Sequence, residues 1–455
     1  MVSSKNKTPD AQESTSPSQM EQEQGREFVL RMAQDRNVKF VRLWFTDILG
    51  SLKSVAITSD ELEAALEEGV TFDGSSIEGF ARADESDMIA RPDPSTFAIL
   101  PSEADEGQVA RIFCDIVLPG NRPAQTDPRR VLRDQLKIAA EMGYIFYVGP
   151  EVEFFYFEGD EESRKFAPKP LDEGGYFDLT PHDVASPLRR HTALALESMD
   201  IGVESSHHEG APSQHEIDLR YTDALTMADN LMTFRLIVKE VAAASGYYAT
   251  FMPKPMAHCN GSGMHINMSL FEGTRNAFYD ARSKDKLSKL AKYFLAGLLE
   301  HARELTLFTN QWVNSYKRLV PGYEAPTAVT WAMHNHSDLL RVPAYKPGRD
   351  DSRRLEYRSP DAACNPYLVF ALLLAAGLDG VQRKLALPDA GEQPDAEVLP
   401  GDLSEAIACA RKSTLARNVL GDQLFDKFLK NKMMEWEEYR RQVHLYEIER
   451  YLGVL

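Results

Sequence analysis

The chain has 455 residues, 43% hydrophobic and 26% charged, which is a composition typical of a globular protein with two to four domains. Its formal net charge is −18, so it lacks the surplus of positive charge that nonspecific nucleic-acid binding requires. It has no run of about 20 apolar residues, so we expect no membrane span.

The first residues and the cysteines indicate the cellular setting. Residues 1–22 are rich in Ser, Thr, Pro, Gln and Glu, which predicts a disordered tail rather than a secretory signal. The four cysteines lie far apart and form no CxxC pair. We therefore expect neither a disulfide framework nor a zinc knot, and a reducing cytoplasm as the location.

The sequence after the tail predicts a small α+β domain over residues 23–122. A helix is expected from about Arg26, and a second begins at Ser59. Alternating or continuous apolar runs predict strands over 38–45, 52–57, 97–100 and 110–117.

The remainder, residues 123–455, predicts amphipathic helices mixed with short strands. A strong strand is expected over 145–157, and Ser186 is the expected cap of a helix that starts at Pro187. The predicted helices cover 128–142, 187–199, 223–245, 284–310 and 367–385. The Pro- and acid-rich stretch 387–400 is expected to be an exposed loop.

Two glutamates on the strong apolar strand are the most informative feature. Glu151 and Glu153 are two residues apart, so their side chains point to one face of the strand. Two like charges beside Phe154 and Phe155 would be costly on a dry face, and a shared divalent cation would remove that cost. A solvated strand face is the alternative interpretation.

Further acidic and imidazole groups lie in other polar clusters. These are Glu209 and Glu216 around a turn, His265 after a Gly-rich loop, and Glu356 on another alternating segment. Five glutamates and one histidine form an oxygen-rich set that suits Mg²⁺ or Mn²⁺ better than zinc. Two such ions would bridge nucleotide phosphates during phosphoryl transfer.

Arginines follow the same pattern. Arg318 lies in a turn-rich segment that also holds Glu324, and Arg341, Arg354 and Arg358 lie downstream. Guanidinium groups bind carboxylates and phosphates in a bidentate manner, so these residues predict binding of small anions.

These motifs together resemble the bacterial type I family of glutamine synthetases, from about Glu27 to the C-terminus. The stretches that carry the resemblance are 72–80, 149–155, 207–216, 252–255, 260–265, 314–326 and 354–366. The resemblance implies an α+β fold: a small β-grasp N-terminal domain, then a catalytic domain with a curved antiparallel sheet and helices.

The resemblance also implies a homo-oligomer, a dodecamer of two hexameric rings. Each active site would lie between neighbouring subunits, with the Asp73 loop acting on the neighbour's site.

The resemblance further implies a role for each matching residue. Glu153, Glu209 and Glu216 correspond to ligands of a first metal, and Glu151, His265 and Glu356 to ligands of a second, with Mg²⁺ or Mn²⁺ expected at both. Asn260, Gly261, Arg318 and Arg358 correspond to positions that hold glutamate. Glu204, Asn267 and Ser269 correspond to ATP contacts, and Arg341 and Arg354 to phosphate-side positions. Asp73, helped by Ser76, corresponds to the group that binds ammonium and takes its proton, and Glu324 to a flap carboxylate that shields the intermediate.

The activity implied is the ATP-dependent ligation of ammonia to the γ-carboxylate of L-glutamate through γ-glutamyl phosphate. One departure is His336, which stands where the family usually carries an arginine that helps the transferring phosphoryl group. The loop 387–400 has no tyrosine, Phe80-Ala81-Arg82 resembles a feedback-inhibited subclass, and Asn267 agrees with it. Control by adenylylation is therefore not expected.

Two alternatives stay open from the sequence. One is a γ-glutamyl ligase for a larger amine such as a polyamine or ethanolamine, since segment 41–47 is similar to accessory copies of the enzyme. Asp73 together with Glu324 favours ammonium over such an amine. The other is a non-catalytic scaffold, which the presence of all six expected metal ligands argues against.

Overall fold

The computed structural model describes residues 17–77, 87–101, 107–159, 168–391 and 395–455. Its N-terminal strands are β1 (Val38–Thr46), β2 (Leu52–Thr58), β3 (Val70–Asp73), β4 (Asp87–Pro92), β5 (Ala98–Ile99), β6 (Gln108–Leu118) and β7 (Arg122–Pro123). They form one sheet in the order β2-β1-β6-β4-β3, in which β1 and β6 run parallel and β5 and β7 pair with β6.

A second sheet contains the remaining strands. They are β8 (Ile145–Glu158), β9 (Val203–His208), β10 (Gln214–Leu219), β11 (Thr222–Asp223), β12 (Tyr247–Thr250), β13 (Met264–Glu272), β14 (Arg275–Asn276), β15 (Trp331–Met333), β16 (Leu340–Val342) and β17 (Leu355–Tyr357). The order is β15-β16-β17-β13-β8-β10-β9, with β11 and β12 on β8 and β14 on β13. All its pairs are antiparallel except β15 with β16.

Helices cover both sheets. They are α1 (Pro17–Asp35), α2 (Leu62–Glu68), α3 (Pro128–Glu141), α4 (Ser186–Glu197), α5 (Ala224–Ala244), α6 (Lys289–Thr309), α7 (Ser315–Arg318), α8 (Pro366–Arg383), α9 (Leu403–Ala410), α10 (Thr414–Tyr439) and α11 (Leu445–Tyr451). The α+β fold expected from the sequence, with a small sheet domain ahead of a larger sheet-and-helix domain, is confirmed.

The pleat of β1 explains how the two parts join. Val41, Leu43 and Phe45 pack into the N-terminal core, whereas Trp44 points to the other face and belongs to the large catalytic core. The side-chain amide of Asn365 also donates to the carbonyls of Asp47 and Ile48, both at 3.2 Å.

Several local expectations differ from the structure. Helix α1 begins at Pro17, ahead of Arg26 and inside the expected tail. Ser186 is the first helical residue of α4 rather than its cap, and no side chain caps that helix. Helix α6 begins later than residue 284, at a point where the Ser288 hydroxyl accepts from the Ala291 N–H and ends the preceding loop.

Candidate active site

The two glutamates of β8 do share a face, and both lie against one imidazole. β10 places Glu216 opposite Glu153, and β13 places His265 opposite Glu151. The His265 Nδ1 is 3.2 Å from Glu151 Oε2, and its Nε2 is 3.6 Å from Glu153 Oε1. The antiparallel register therefore gathers residues that are distant in sequence above the middle of the sheet.

Glu356 on β17 completes one triad. Potential ligand atoms of Glu151, His265 and Glu356 lie within 4.8 Å of one another. Glu356 is fully buried, its Oε2 accepts from Arg341 Nε at 2.6 Å, and its Oε1 accepts from Arg358 Nη1. The carboxylate is thus held in place by two guanidinium groups.

The other predicted triad is connected through Glu216. Ligand atoms of Glu153, Glu216 and His265 lie within 4.8 Å, and those of His207, Glu209 and Glu216 form a second such group. His207 Nε2 is 2.7 Å from Glu209 Oε1 and 3.6 Å from Glu216 Oε1. The sequence did not assign His207, although its place two residues before Glu209 on β9 puts it in the same cluster.

The electrostatics of these carboxylates favour a bound cation. Burial, followed by the charges of Asp218 and Glu153, raises the pKa of Glu216 well above its usual range. Burial also raises the pKa of Glu153. Burial alone would raise the pKa of Glu151, but hydrogen bonds from His265 and Asn267 lower it to about 2. Crowded, partly dry carboxylates with one imidazole are the donor set that Mg²⁺ or Mn²⁺ accepts, so the residues fit divalent ions.

A cavity of about 260 Å³ opens beside Glu151. Its lining contains Glu204, Asn267, Ser269 and Arg354, which were predicted on the nucleotide side, but not Arg341, the other predicted phosphate-side residue. Asn267 Nδ2 donates to Glu151 Oε1 at 2.9 Å, and Arg354 Nε donates to Asn267 Oδ1 at 2.7 Å. Lys346 and Arg349 also line this cavity and were not predicted, because they lie in a turn-rich loop without a recognisable motif.

The predicted glutamate-binding residues converge, but Arg318 lies beneath the others. It is only 2% exposed, and its guanidinium donates to the carbonyls of Ser359 at 2.6 Å and Arg358 at 3.2 Å. A Cβ atom at Gly263 would lie 2.3 Å from Arg318 Nη2, so this close packing requires glycine. Direct contact between Arg318 and a substrate stays a prediction.

Glu324, the predicted flap carboxylate, contacts the loop that is predicted to hold glutamate. Its Oε2 accepts from Asn260 Nδ2 at 2.7 Å, and its backbone has a positive φ of 35°. The neighbouring Gly261 accepts from Gln214 Nε2 at 3.1 Å, and the same amide donates to Glu153 Oε2 at 2.9 Å. The Glu324 segment, the Asn260 loop and the carboxylate cluster are therefore in one hydrogen-bonded region.

His336 contacts Arg341, one of the two arginines that bind Glu356. Its Nε2 is 3.0 Å from Arg341 Nη1, and since arginine only donates, the imidazole accepts. Burial and the charge of Arg341 lower the pKa of His336, which keeps the ring neutral near pH 7.

Asp73 and Ser76 lie apart from the other site residues. They are at the end of β3 and in the following 3₁₀ turn, in the N-terminal domain. Asp73 Oδ1 accepts from the Ser75 N–H at 2.9 Å and the Ser75 hydroxyl at 2.6 Å, and these bonds lower its pKa. Within the described ranges, no hydrogen bond or ion pair joins either residue to the carboxylate cluster.

His208 and Asp172 form a second polar cluster next to Glu209, and this cluster was not predicted from the sequence. His208 Nδ1 faces the Glu209 carbonyl at 2.7 Å, and its Nε2 faces Asp172 Oδ1 at 3.0 Å. Because both ring nitrogens meet acceptors, His208 is a charged donor in a satisfied network rather than a free metal ligand. Its effect is to fix the backbone of Glu209.

Comparison with known proteins identifies the family. The model described as "Glutamine synthetase, catalytic domain" matches residues 125–451, and "Glutamine synthetase, beta-Grasp domain" matches 37–119. Similar relatives include glutamine synthetases of Mycolicibacterium smegmatis, 54% identical over 94% of this chain and 99% of the relative, and of Thermotoga maritima, 46% identical over 94% and 99%.

Solved structures agree with the sequence comparisons. A structure described as "GmaS/ADP complex" superposes with a TM-score of 0.85 at 29% identity, covering 93% of this chain and 99% of that chain. A glutamine synthetase of Plasmodium falciparum gives 0.85 at 27% identity, covering 94% and 98%. No helix in the described ranges is long and apolar enough to cross a bilayer. Both family models match, and these relatives are 46–54% identical to this chain over nearly its whole length. This chain therefore belongs to the glutamine synthetase family.

Proposed function

We propose that this protein is a glutamate–ammonia ligase that forms L-glutamine from L-glutamate, ammonium and ATP. The observation that carries the proposal is the carboxylate cluster around His265, open to the cavity that Glu204, Asn267, Ser269 and Arg354 line. Relatives at 46–54% identity over nearly their whole length carry the name of this activity.

Each metal position has its own ligands in this proposal. Glu153, Glu209 and Glu216 hold the first ion, with His207 supporting the latter two. Glu151, His265 and Glu356 hold the second. Mg²⁺ or Mn²⁺, two per site, would offset the charge of the ATP phosphates when bound. Arg341 and Arg354 add positive charge on the phosphate side.

The chain's own groups then act on the substrates. Asn260, Gly261 and Arg358 orient glutamate, with Arg318 fixing the backbone beneath them. The glutamate γ-carboxylate attacks the γ-phosphate of ATP, ADP leaves, and γ-glutamyl phosphate forms. Ammonia then attacks the acyl carbon, and phosphate leaves.

The second step needs a deprotonated amine and a dry site. Asp73, supported by Ser76, binds ammonium and takes its proton, because only neutral ammonia is nucleophilic. Glu324 on the flap excludes water from the acyl phosphate and completes the cation pocket. Asp73 lies apart from the cluster of its own chain, which supports its action in a neighbouring subunit of a homo-oligomer, for which we propose a dodecamer.

Domain limits and regulation belong to the same proposal. We place the β-grasp domain at 23–122 and the catalytic domain at 123–455, and residues 1–16 of the predicted tail lie outside the described residues. The lack of tyrosine in 387–400 supports an enzyme that is not adenylylated and is feedback-inhibited instead. Phe80, Ala81 and Arg82, which carry the feedback prediction, lie outside the described residues. Four free cysteines support a cytoplasmic location.

The test is an amine panel. Purified protein with Mg²⁺, ATP and glutamate receives ammonium, methylamine, putrescine, spermine or ethanolamine in turn, and both phosphate and the amide product are measured. We expect glutamine with ammonium and little amide from the others. Amide formation only with a larger amine would overturn the assignment, and no product with any amine would favour a non-catalytic role.

A further inference from the structure

Lys254 is a buried lysine beside the candidate site that no step of the proposed reaction uses. It lies between β12 and β13 and is 7% exposed. Its Nζ donates to the carbonyl of Cys259 and lies 3.5 Å from the centroid of the Tyr323 ring. Within the described part of the chain, no carboxylate forms an ion pair with this ammonium, so the ring face and the carbonyl are its stabilising partners.

The backbone of Lys254 is fixed to the segment that leads to the flap. Its N–H donates to Asn314 Oδ1 at 2.7 Å, and Asn314 Nδ2 donates back to its carbonyl at 3.0 Å. Asn314 precedes α7, which is anchored by buried Tyr316 and Arg318. The side chain of Lys254 therefore extends from a rigid base toward the more exposed flap.

The two partners of the ammonium are the immediate neighbours of two site residues. Tyr323 precedes Glu324, and Cys259 precedes Asn260, so the Asn260–Glu324 hydrogen bond and the Lys254 contacts connect the same two segments. Glu324 has a φ of 35° and Gly322 a φ of 91°. A non-glycine residue rarely adopts a positive φ unaided, so the flap needs external contacts to keep this shape.

From this arrangement we infer that Lys254 is a positioning residue that holds the Glu324 flap against the Asn260 loop. The inference rests on the proposed role of Glu324 as the shield of the acyl phosphate. Lys254 itself exchanges no proton and forms no bond with substrate. Its loss opens the flap while leaving the metal cluster and the nucleotide cavity in place.

The test compares Lys254→Met with Lys317→Met in the full-length protein. Methionine keeps an unbranched apolar stem but removes the charge and the donor. Lys317 is a suitable control because it lies on α7 close to the flap, but its Nζ faces the Tyr439 ring at 5.7 Å instead.

The first readout is hydrogen–deuterium exchange of the peptide over 320–326 without substrates. We expect exchange about fivefold faster or more in Lys254→Met, and wild-type exchange in Lys317→Met.

The second readout is the ratio of phosphate released to glutamine formed. We expect a ratio near one in wild type and Lys317→Met, and a clear excess of phosphate in Lys254→Met at an unchanged unfolding temperature. Unchanged exchange in Lys254→Met would overturn the inference, as would faster exchange with a ratio still near one. Should that variant not fold, Tyr323→Leu removes the ring from the opposite side, with the same two expectations. The exchange comparison needs no catalysis, so a wild type that forms no glutamine would refute the proposed function separately.

Discussion

At the scale of single residues, Glu356 shows how the site keeps a buried charge in place. The side chain has no exposed surface, yet two guanidinium groups donate to its two oxygens and His265 lies 3.9 Å away. A buried carboxylate is tolerated only with such partners. The arginines therefore orient a candidate metal ligand before any ion arrives, which is the pre-organisation that electrostatic catalysis requires.

The substitution His336→Arg tests the phosphoryl-transfer side of the site. We expect kcat to be preserved or raised, because an added guanidinium would stabilise negative charge that develops on the phosphoryl group. His336→Gln, which stays neutral and keeps an acceptor for Arg341, is the matched control and should remain near wild type. Steady-state kinetics with glutamate, ATP and ammonium measure the effect. A collapse of the rate in folded His336→Arg would show that the imidazole has a task of its own.

The substitution Glu324→Ala tests the flap. Without this carboxylate, water should reach γ-glutamyl phosphate, so phosphate release should exceed glutamine formation several-fold. Simultaneous phosphate and glutamine assays give the ratio. Glu63→Ala, at an exposed position of α2, should keep the ratio near one. Tight coupling in Glu324→Ala would contradict the shielding role.

Which site residues were predictable depended on local pattern. The spacing of Glu151 and Glu153 on an apolar strand was enough to predict a shared face, and the structure confirms it. His208 and Asp172 were not predictable as partners, because they are 36 residues apart and meet only in the folded chain. The burial of Arg318 was equally hidden, since the carbonyls of Ser359 and Arg358 that it binds lie 41 and 40 residues away in the sequence.

At the scale of elements, α6 and α8 pack closely enough to bring polar side chains together. A Cβ atom at Gly297 would lie 2.2 Å from the carbonyl oxygen of Ala376, so the helices approach through glycine. One turn along, His301 Nε2 lies 2.9 Å from Asp379 on α8 and its Nδ1 lies 2.6 Å from Glu304 on α6. Burial lowers the pKa of His301, but the two carboxylates outweigh this effect and raise it above 6.5.

This arrangement predicts a pH-dependent stability. A histidine with a raised folded-state pKa stabilises the fold fully below its unfolded pKa, and that contribution is lost as pH rises through the folded value. The contribution of His301 to the free energy of unfolding should therefore fall as pH rises over the range from about 6 to 8, which includes the ordinary histidine pKa. Denaturant titrations of wild type and His301→Gln measure the difference, which should shrink with rising pH. A difference that stays constant across this range would contradict the charged state of His301.

Length alone did not decide which elements were predictable, since the 26-residue helix α10 was missed. The run that forms β8 was predicted within one residue, because aromatic and β-branched residues stand on both sides of the Gly149-Pro150 interruption. Strands β3 and β4 were missed, since β3 has only four residues and pairs with β4, and β4 has six residues and pairs with β3 and β6. Helix α4 began one residue early because a first-turn proline is tolerated without a side-chain cap.

At the scale of the whole molecule, Arg129 joins the two domains. It is buried at the start of α3 and forms ion pairs with Asp93 and Asp115 of the N-terminal domain and Asp229 of α5, at 2.7–2.9 Å. Burial would lower the pKa of Arg129, but these carboxylates raise it further above its usual range. The guanidinium is therefore charged and compensates three acidic groups at the domain junction.

Arg129→Met should destabilise the protein by about 3–5 kcal/mol, because it removes the ion-pair partner of buried Asp229. Asp93 and Asp115 are partly exposed and keep their pairs with Arg133. Chemical unfolding followed by circular dichroism measures the loss. Arg130→Met is the control: its pair with Asp134 is largely solvent-exposed, so the expected loss is about 0–1 kcal/mol. Equal effects of the two substitutions would contradict a special role of the junction.

The proposed ligase activity depends most on a pair of divalent ions held by the carboxylates around His265, next to the nucleotide cavity. Anomalous scattering from crystals grown with Mn²⁺ and ADP tests this directly. We expect two peaks per subunit, within about 2.5 Å of ligand atoms, one at Glu153, Glu209 and Glu216 and one at Glu151, His265 and Glu356. No peak in this cluster, or peaks only elsewhere on the subunit, would contradict the account.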